Sequence, residues 1–197
     1  MRHEYSLDGQ AFRLRPVGID DAEFIVELRA GDPERTRYLH PVPPDVPAQR
    51  VWLSRYFERE NDYYWVIERK ASRAPEGLVG IYDVNPAAET GEWGRWVVRK
   101  GSFAAPESAM LVYRAAFEQL KLKSVYCITV ADNRRVLSFH DSCGLKRVAT
   151  LPAHFTLGGG QRFDGVKHLC EAADWPAVRG CLEPQTELVA RRLEGSS

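Results

Sequence analysis

At 197 residues the chain is the length of one ordinary domain and long enough to bury a substantial core. Its hydrophobic and charged fractions, 44% and 27%, are those of a soluble globular protein. Its 27 basic residues balance 27 acidic ones, which argues against a nucleic-acid binder held by bulk charge, and no apolar run reaches the roughly 18–20 residues that cross a bilayer.

The N-terminal stretch Met1 to Leu7 carries charge with no apolar segment behind it, so no signal peptide is expected. Cys127, Cys143, Cys170 and Cys181 form no CxxC pair and no metal-finger spacing. Reduced thiols, a cytoplasmic location, no metal, no membrane and no nucleic-acid partner are the expectations.

The elements then follow in chain order. Phe12–Val17 alternates apolar and basic residues and reads as a first strand, edged by Pro16. Asp20–Arg29 opens with acidic residues and places Phe24, Ile25 and Leu28 on one face, a helix stopped by Gly31. His40–Pro47 carries four prolines and must be an extended or turning loop. Ala48–Glu60 returns to helical spacing through Val51, Trp52 and Tyr56.

Tyr63–Glu68, Leu78–Val84 and Trp93–Val98 are aromatic and β-branched, which predicts an antiparallel meander. A helix follows, with Pro106 in its first turn and Met110, Tyr113, Phe117 and Leu120 at helical intervals. Ser124–Val130 is a strong strand, so this stretch has the size of a βαβ unit. Asn133–Cys143 predicts a short helix ended by Gly144, and two strands joined by Gly158-Gly159-Gly160 predict a long hairpin, Lys146–Phe155 and Phe163–Glu171. Residues 176–197 read as an appendage to a domain of residues 1–175, with a last helix from Pro184 to Leu193 and fraying over Glu194–Ser197.

The strand Val125–Val130, then Asp132-Asn133, a helix containing Phe139-His140, and Cys143-Gly144-Leu145 together resemble the GNAT N-acetyltransferase pattern. The element order from Phe12 to about Ala173 resembles the same superfamily, and within it the branch of ribosomal-protein N-terminal acetyltransferases and flagellin-sugar (pseudaminic-acid pathway) aminosugar acetyltransferases. The resemblance implies an α/β (α+β) fold, with a mixed, mostly antiparallel sheet of six to seven strands, a splayed central parallel pair and about four helices. It implies acetyl-CoA as co-substrate and acetyl transfer to a primary amine by direct attack. The acceptor is expected to be a small molecule such as a nucleotide-linked aminosugar, with a protein N-terminus as the alternative and a non-catalytic acyl-CoA-binding module as a second. By analogy alone it implies a homodimer through the C-terminal hairpin.

The same resemblance places residues. Trp96, Val97 and Val98 would offer backbone groups to the cofactor arm, as an added strand does. Arg99, Lys100, Gly101, Ser102, Phe103, Ala104 and Ala105 would form the pyrophosphate loop ahead of a helix N-terminus. That loop departs from the family's Arg/Gln-x-x-Gly-x-Gly/Ala, with Gly101 one position early and Ser102 where Gly is usual. Glu107 would then oppose an anion at the helix start. Asn133, Arg134 and Ser138 complete the cofactor set, although Asn133 also suits a helix cap and Arg134 a solvated surface. His140 stands where the family commonly has a proton-donating Tyr, and with a reference pKa near 6.5 its imidazolium would be about a quarter populated at pH 7. The alternative is a packing histidine beside Phe139. Glu92 is the candidate general base, unless a water serves instead.

Overall fold

The computed structural model describes residues 3–43 and 45–195. The first chain segment forms a two-residue strand, β1 (Leu7–Asp8), and β2 (Phe12–Pro16). Helices α1 (Ala22–Ala30), α2 (Pro33–Thr36) and α3 (Val46–Tyr56) follow, the last started by Asp45, whose carboxylate accepts from Ala48 N–H. The meander is β3 (Tyr63–Arg69), β4 (Pro75–Asn85) and β5 (Thr90–Val98). Helix α4 (Ala105–Arg114) continues into a π-helical turn at Ala115–Gln119 and leads to β6 (Ser124–Val130). Helix α5 (Arg134–Ser142), the hairpin β7 (Lys146–Leu157) and β8 (Gln161–Glu171), and α6 (Trp175–Glu194) complete the chain.

The strands form one sheet in the order β1-β2-β3-β4-β5-β6-β8-β7, eight strands where six to seven were expected. Among the described residues only β5 and β6 pair in parallel, joined across one face by α4 as a βαβ unit. Strand alternation splits the core in two. On β3, Trp65 and Ile67 face α4 and α6, while Tyr64 and Val66 face α1 and α3. Every residue of α4 from Glu107 to Tyr113 is buried, because the sheet covers one side and α6 the other.

That second cover corrects the expected C-terminal helix. It starts at Trp175, with Pro176 in its first turn, and Pro184 lies inside it. A mid-helix proline costs a hydrogen bond and a clash, but Trp175, Val178 and Leu182 are buried in the main core and offset that cost. Ser196 and Ser197, where fraying was expected, lie outside the described residues, as do Met1, Arg2 and Pro44 of the proline-rich loop. No helix among the described residues is long and apolar enough to cross a membrane.

Candidate active site

Strands β5 and β6 pair at Thr90↔Ser124, Gly91↔Val125 and Glu92↔Tyr126, and there the pairing stops. Beyond it Cys127–Val130 remains bonded to β8 alone, and Trp93–Val98 to β4 alone. A bulge drives the two strands apart: the β4–β5 register shifts between Leu78 and Gly80, and Arg95 sits at φ 52°. A bidentate ion pair from Arg95 to Asp62, at 2.5 and 2.8 Å, holds this left-handed residue in place. The gap opens into a cleft of about 1020 Å³. Backbone groups of both strands face that gap unpaired with each other, which fits an extended chain bearing amides.

Trp96, Val97 and Val98 line the cleft, as does Ala105 at the start of α4. Trp96 is fixed by its Nε1–H donating to Ser108 Oγ at 3.0 Å and by packing on Trp93 and Phe139. Arg99 reaches away to grip both oxygens of Glu27 at 2.8 Å, whereas Lys100 is exposed. Gly101 takes φ 82°, a turn that favours glycine, so the shifted Gly performs the turn from its own position. Ser102 Oγ accepts from Ala104 N–H and donates to Glu76 Oε2 at 2.6 Å, and Phe103 is exposed with Arg192 over its ring.

The expected conflict at Glu107 is absent. This side chain is 0% exposed and turns to β2, where its carboxylate accepts from the N–H groups of Gln10, Ala11 and Phe12. Its charge is spent on that turn and is aimed away from the loop.

Glu92 is the last paired residue before the splay and lines the cleft. Tyr82, its register partner on β4, donates from Oη to Oε1 at 3.0 Å. Burial raises the Glu92 pKa above the usual carboxylate range, against the lowering effect of the Tyr82 hydrogen bond. Asn133 also lines the cleft, and it stands at the N-cap of α5 through its backbone carbonyl, while its side chain makes no cap bond. Arg134 and Ser138 are exposed and lie outside the cleft lining, while Arg135 is within it.

His140 lines the cleft at 2% exposure, edge-on to Trp93. Its Nε2 lies 3.5 Å from Cys127 Sγ, and its Nδ1 is buried with no partner among the described residues. Burial, reinforced by neighbouring His168, pushes its pKa down to about 3. The quarter-populated imidazolium is therefore corrected: the ring is neutral at pH 7. It is not isolated, since His168 packs at 5.1 Å and contacts Asp141 at 3.2 Å.

Several lining residues belong to no functional motif in the sequence: Arg29 and Trp52 from the helices, Tyr64 and Tyr82 from the meander, His154 from β7. They come from separate elements and meet only through the fold. Trp65, by contrast, is core, while Trp93 belongs to the core and also lines the cleft. Asp164 accepts from Ala153 N–H at 2.7 Å, a structural bond within the hairpin.

A parallel pair that parts halfway, with a helix N-terminus at its open end, can take an extended amide-bearing arm between its strands and an anion at the helix start. The chain is an acetyl-CoA-dependent N-acetyltransferase. Residues 12–146 match the family model of the acetyltransferase (GNAT) domain, and the chain belongs to that family. Among solved structures it is similar to apo FdhC, a nucleotide-linked sugar GNAT, at 27% identity and TM-score 0.74, covering 90% of this chain and 96% of that one. A GCN5-related N-acetyltransferase from Brucella melitensis matches at 17% identity and TM-score 0.79, over 92% and 85% of the two chains. A mutant of the spermidine N-acetyltransferase SpeG from Vibrio cholerae matches at 16% identity and TM-score 0.74, over 85% and 97%. The last two show likeness of fold alone. No curated protein matches the chain.

Proposed function

We propose that the chain acetylates the primary amine of a small molecule, with a nucleotide-linked aminosugar as the specific acceptor, by direct attack within a ternary complex. One observation carries the choice of a small acceptor. The segment after α2 straps over the cleft: Tyr38 Oη donates to the Asp132 carbonyl at 3.3 Å, and the Tyr38 and His40 rings pack edge-on to Phe163 and Phe155. A strapped cleft suits a compact acceptor better than a peptide running across the surface. Trp52 and Phe155 in the lining offer flat apolar faces to a sugar or base, and the likeness to FdhC supports the same acceptor.

Acetyl-CoA supplies an activated thioester. Trp96, Val97 and Val98 would hold its arm by backbone hydrogen bonds, and Lys100, Gly101 and the α4 N-terminus its phosphates. Glu92, with a raised pKa, is placed to take the proton of the incoming amine, directly or through water. His140, being neutral, would serve the sulfur as a hydrogen-bond donor and not as an acid.

The test is calorimetric titration with acetyl-CoA, followed by thiol release with nucleotide-linked aminosugars, free aminosugars, spermidine and a peptide with a free N-terminus. Tight acetyl-CoA binding and turnover on the sugar acceptors are expected. Turnover on the peptide alone would transfer the function to protein N-termini.

A further inference from the structure

Resting on the reading that the strapped cleft receives a small amine acceptor, we infer that Arg29 is an anion-recognition residue and that the acceptor carries a carboxylate or phosphate beside its amine. Arg29 is in the last turn of α1 and lines the cleft. Its Nη2 donates to the His40 carbonyl at 2.5 Å, and its Nε is buried with no partner among the described residues.

Three other arginines of the lining are paired with carboxylates. Arg95 holds Asp62, Arg59 approaches Asp62 at 3.5 Å, and Arg37 pairs with Glu34 at 3.1 Å. Arg29 has no carboxylate at ion-pair distance among the described residues. Burial lowers its pKa, Arg95 adds repulsion, and the favourable groups are limited to Tyr64. Neither Asp32 nor Glu34, which share the cleft, is among the groups that shift it.

Withdrawing a guanidinium from water without a counter-charge is costly. The negative end of α1 offsets part of that cost. A guanidinium in the wall of a cleft with no carboxylate beside it is complementary in charge to a carboxylate or phosphate.

The experiment uses matched acceptor pairs: glucosamine 6-phosphate with glucosamine, and an amino acid with its amide. Thiol release is followed for the wild type, Arg29→Gln and Arg29→Lys, with acetyl-CoA affinity as the folding control. The wild type is expected to favour the anionic member of at least one pair by about 10- to 100-fold in kcat/KM. Arg29→Gln should erase that preference by raising KM for the anionic acceptor far more than for the neutral one, and Arg29→Lys should restore part of it. The preferred pair tells phosphate from carboxylate.

A second readout follows the ¹⁵N–H signal of the buried Arg29 Nε in CoA-loaded protein titrated with acetate or inorganic phosphate. A shift of this signal without turnover of any amine would sink the acetyl-transfer proposal and leave the anion site standing. No preference in either pair, together with no shift by either anion, overturns the inference.

Discussion

Tyr82 and Glu92 face each other across β4 and β5, and the Tyr82 hydroxyl donates to the Glu92 carboxylate at 3.0 Å on the last rung before the sheet parts. The bond favours the ionised carboxylate while burial opposes it, and burial is the larger effect. Glu92 acting as base must be deprotonated, so the rate should fall on the acid side of its raised pKa. Tyr82→Phe removes the lowering contribution and should move that acid limb to higher pH. Glu92→Gln should lower kcat/KM by about 100-fold or more and abolish the limb. A pH–rate profile of Glu92→Gln that matches the wild type would retire Glu92 as the base.

His140 makes stability depend on pH. Its folded pKa of about 3 lies below the ordinary value of 6.5. Between those values the unfolded chain binds a proton that the folded chain does not. Stability is therefore full above pH 6.5 and declines as the pH falls towards 3, with a slope of at most about 1.4 kcal/mol per pH unit from this group. Burial lowers the His168 pKa as well and acts with the same sign. Denaturant unfolding of His140→Asn across this range should show a shallower decline than the wild type.

Glu107 satisfies three consecutive backbone N–H groups from the far end of the sequence. Glu107→Ala leaves those donors without their acceptor and should cost about 2–3 kcal/mol, or about 5–10 °C in Tm. Acetyl-CoA affinity measured well below the Tm should be retained, because this carboxylate does not face the loop. A gain in affinity with unchanged Tm would return Glu107 to the phosphate site.

Lys100 is the exposed cation of the loop, since Arg99 is engaged by Glu27. Lys100→Glu is expected to weaken acetyl-CoA binding by about 5- to 10-fold without changing stability. The difference from wild type should shrink as salt is added. Equal affinities at low ionic strength would place the phosphates elsewhere.

Much of the architecture was legible in the sequence because it is local. The aromatic and β-branched run Tyr63–Glu68 and the helical spacing through Met110, Tyr113 and Phe117 are local signals of a strand and of a helix. Gly144 was expected in a left-handed turn, and its φ is 79°. The strand–Asn–helix–Gly pattern from Val125 to Leu145 carried the resemblance to the family whose domain residues 12–146 match. Elements, their order and the family were set by periodicity and short motifs.

Tertiary structure decided what depends on distances between remote segments. Glu107 turns from the loop because the N–H groups of Gln10 to Phe12 lie within reach of it. Helix α6 continues through Pro184 because its apolar face has the main core to bury against. His140 is neutral because Trp93, Cys127 and His168 surround it, and none of them is its neighbour in sequence. Arg29 has no carboxylate partner among the described residues for the same reason in reverse: an ion pair requires a partner brought close in space, and the fold brought the carboxylates to other arginines.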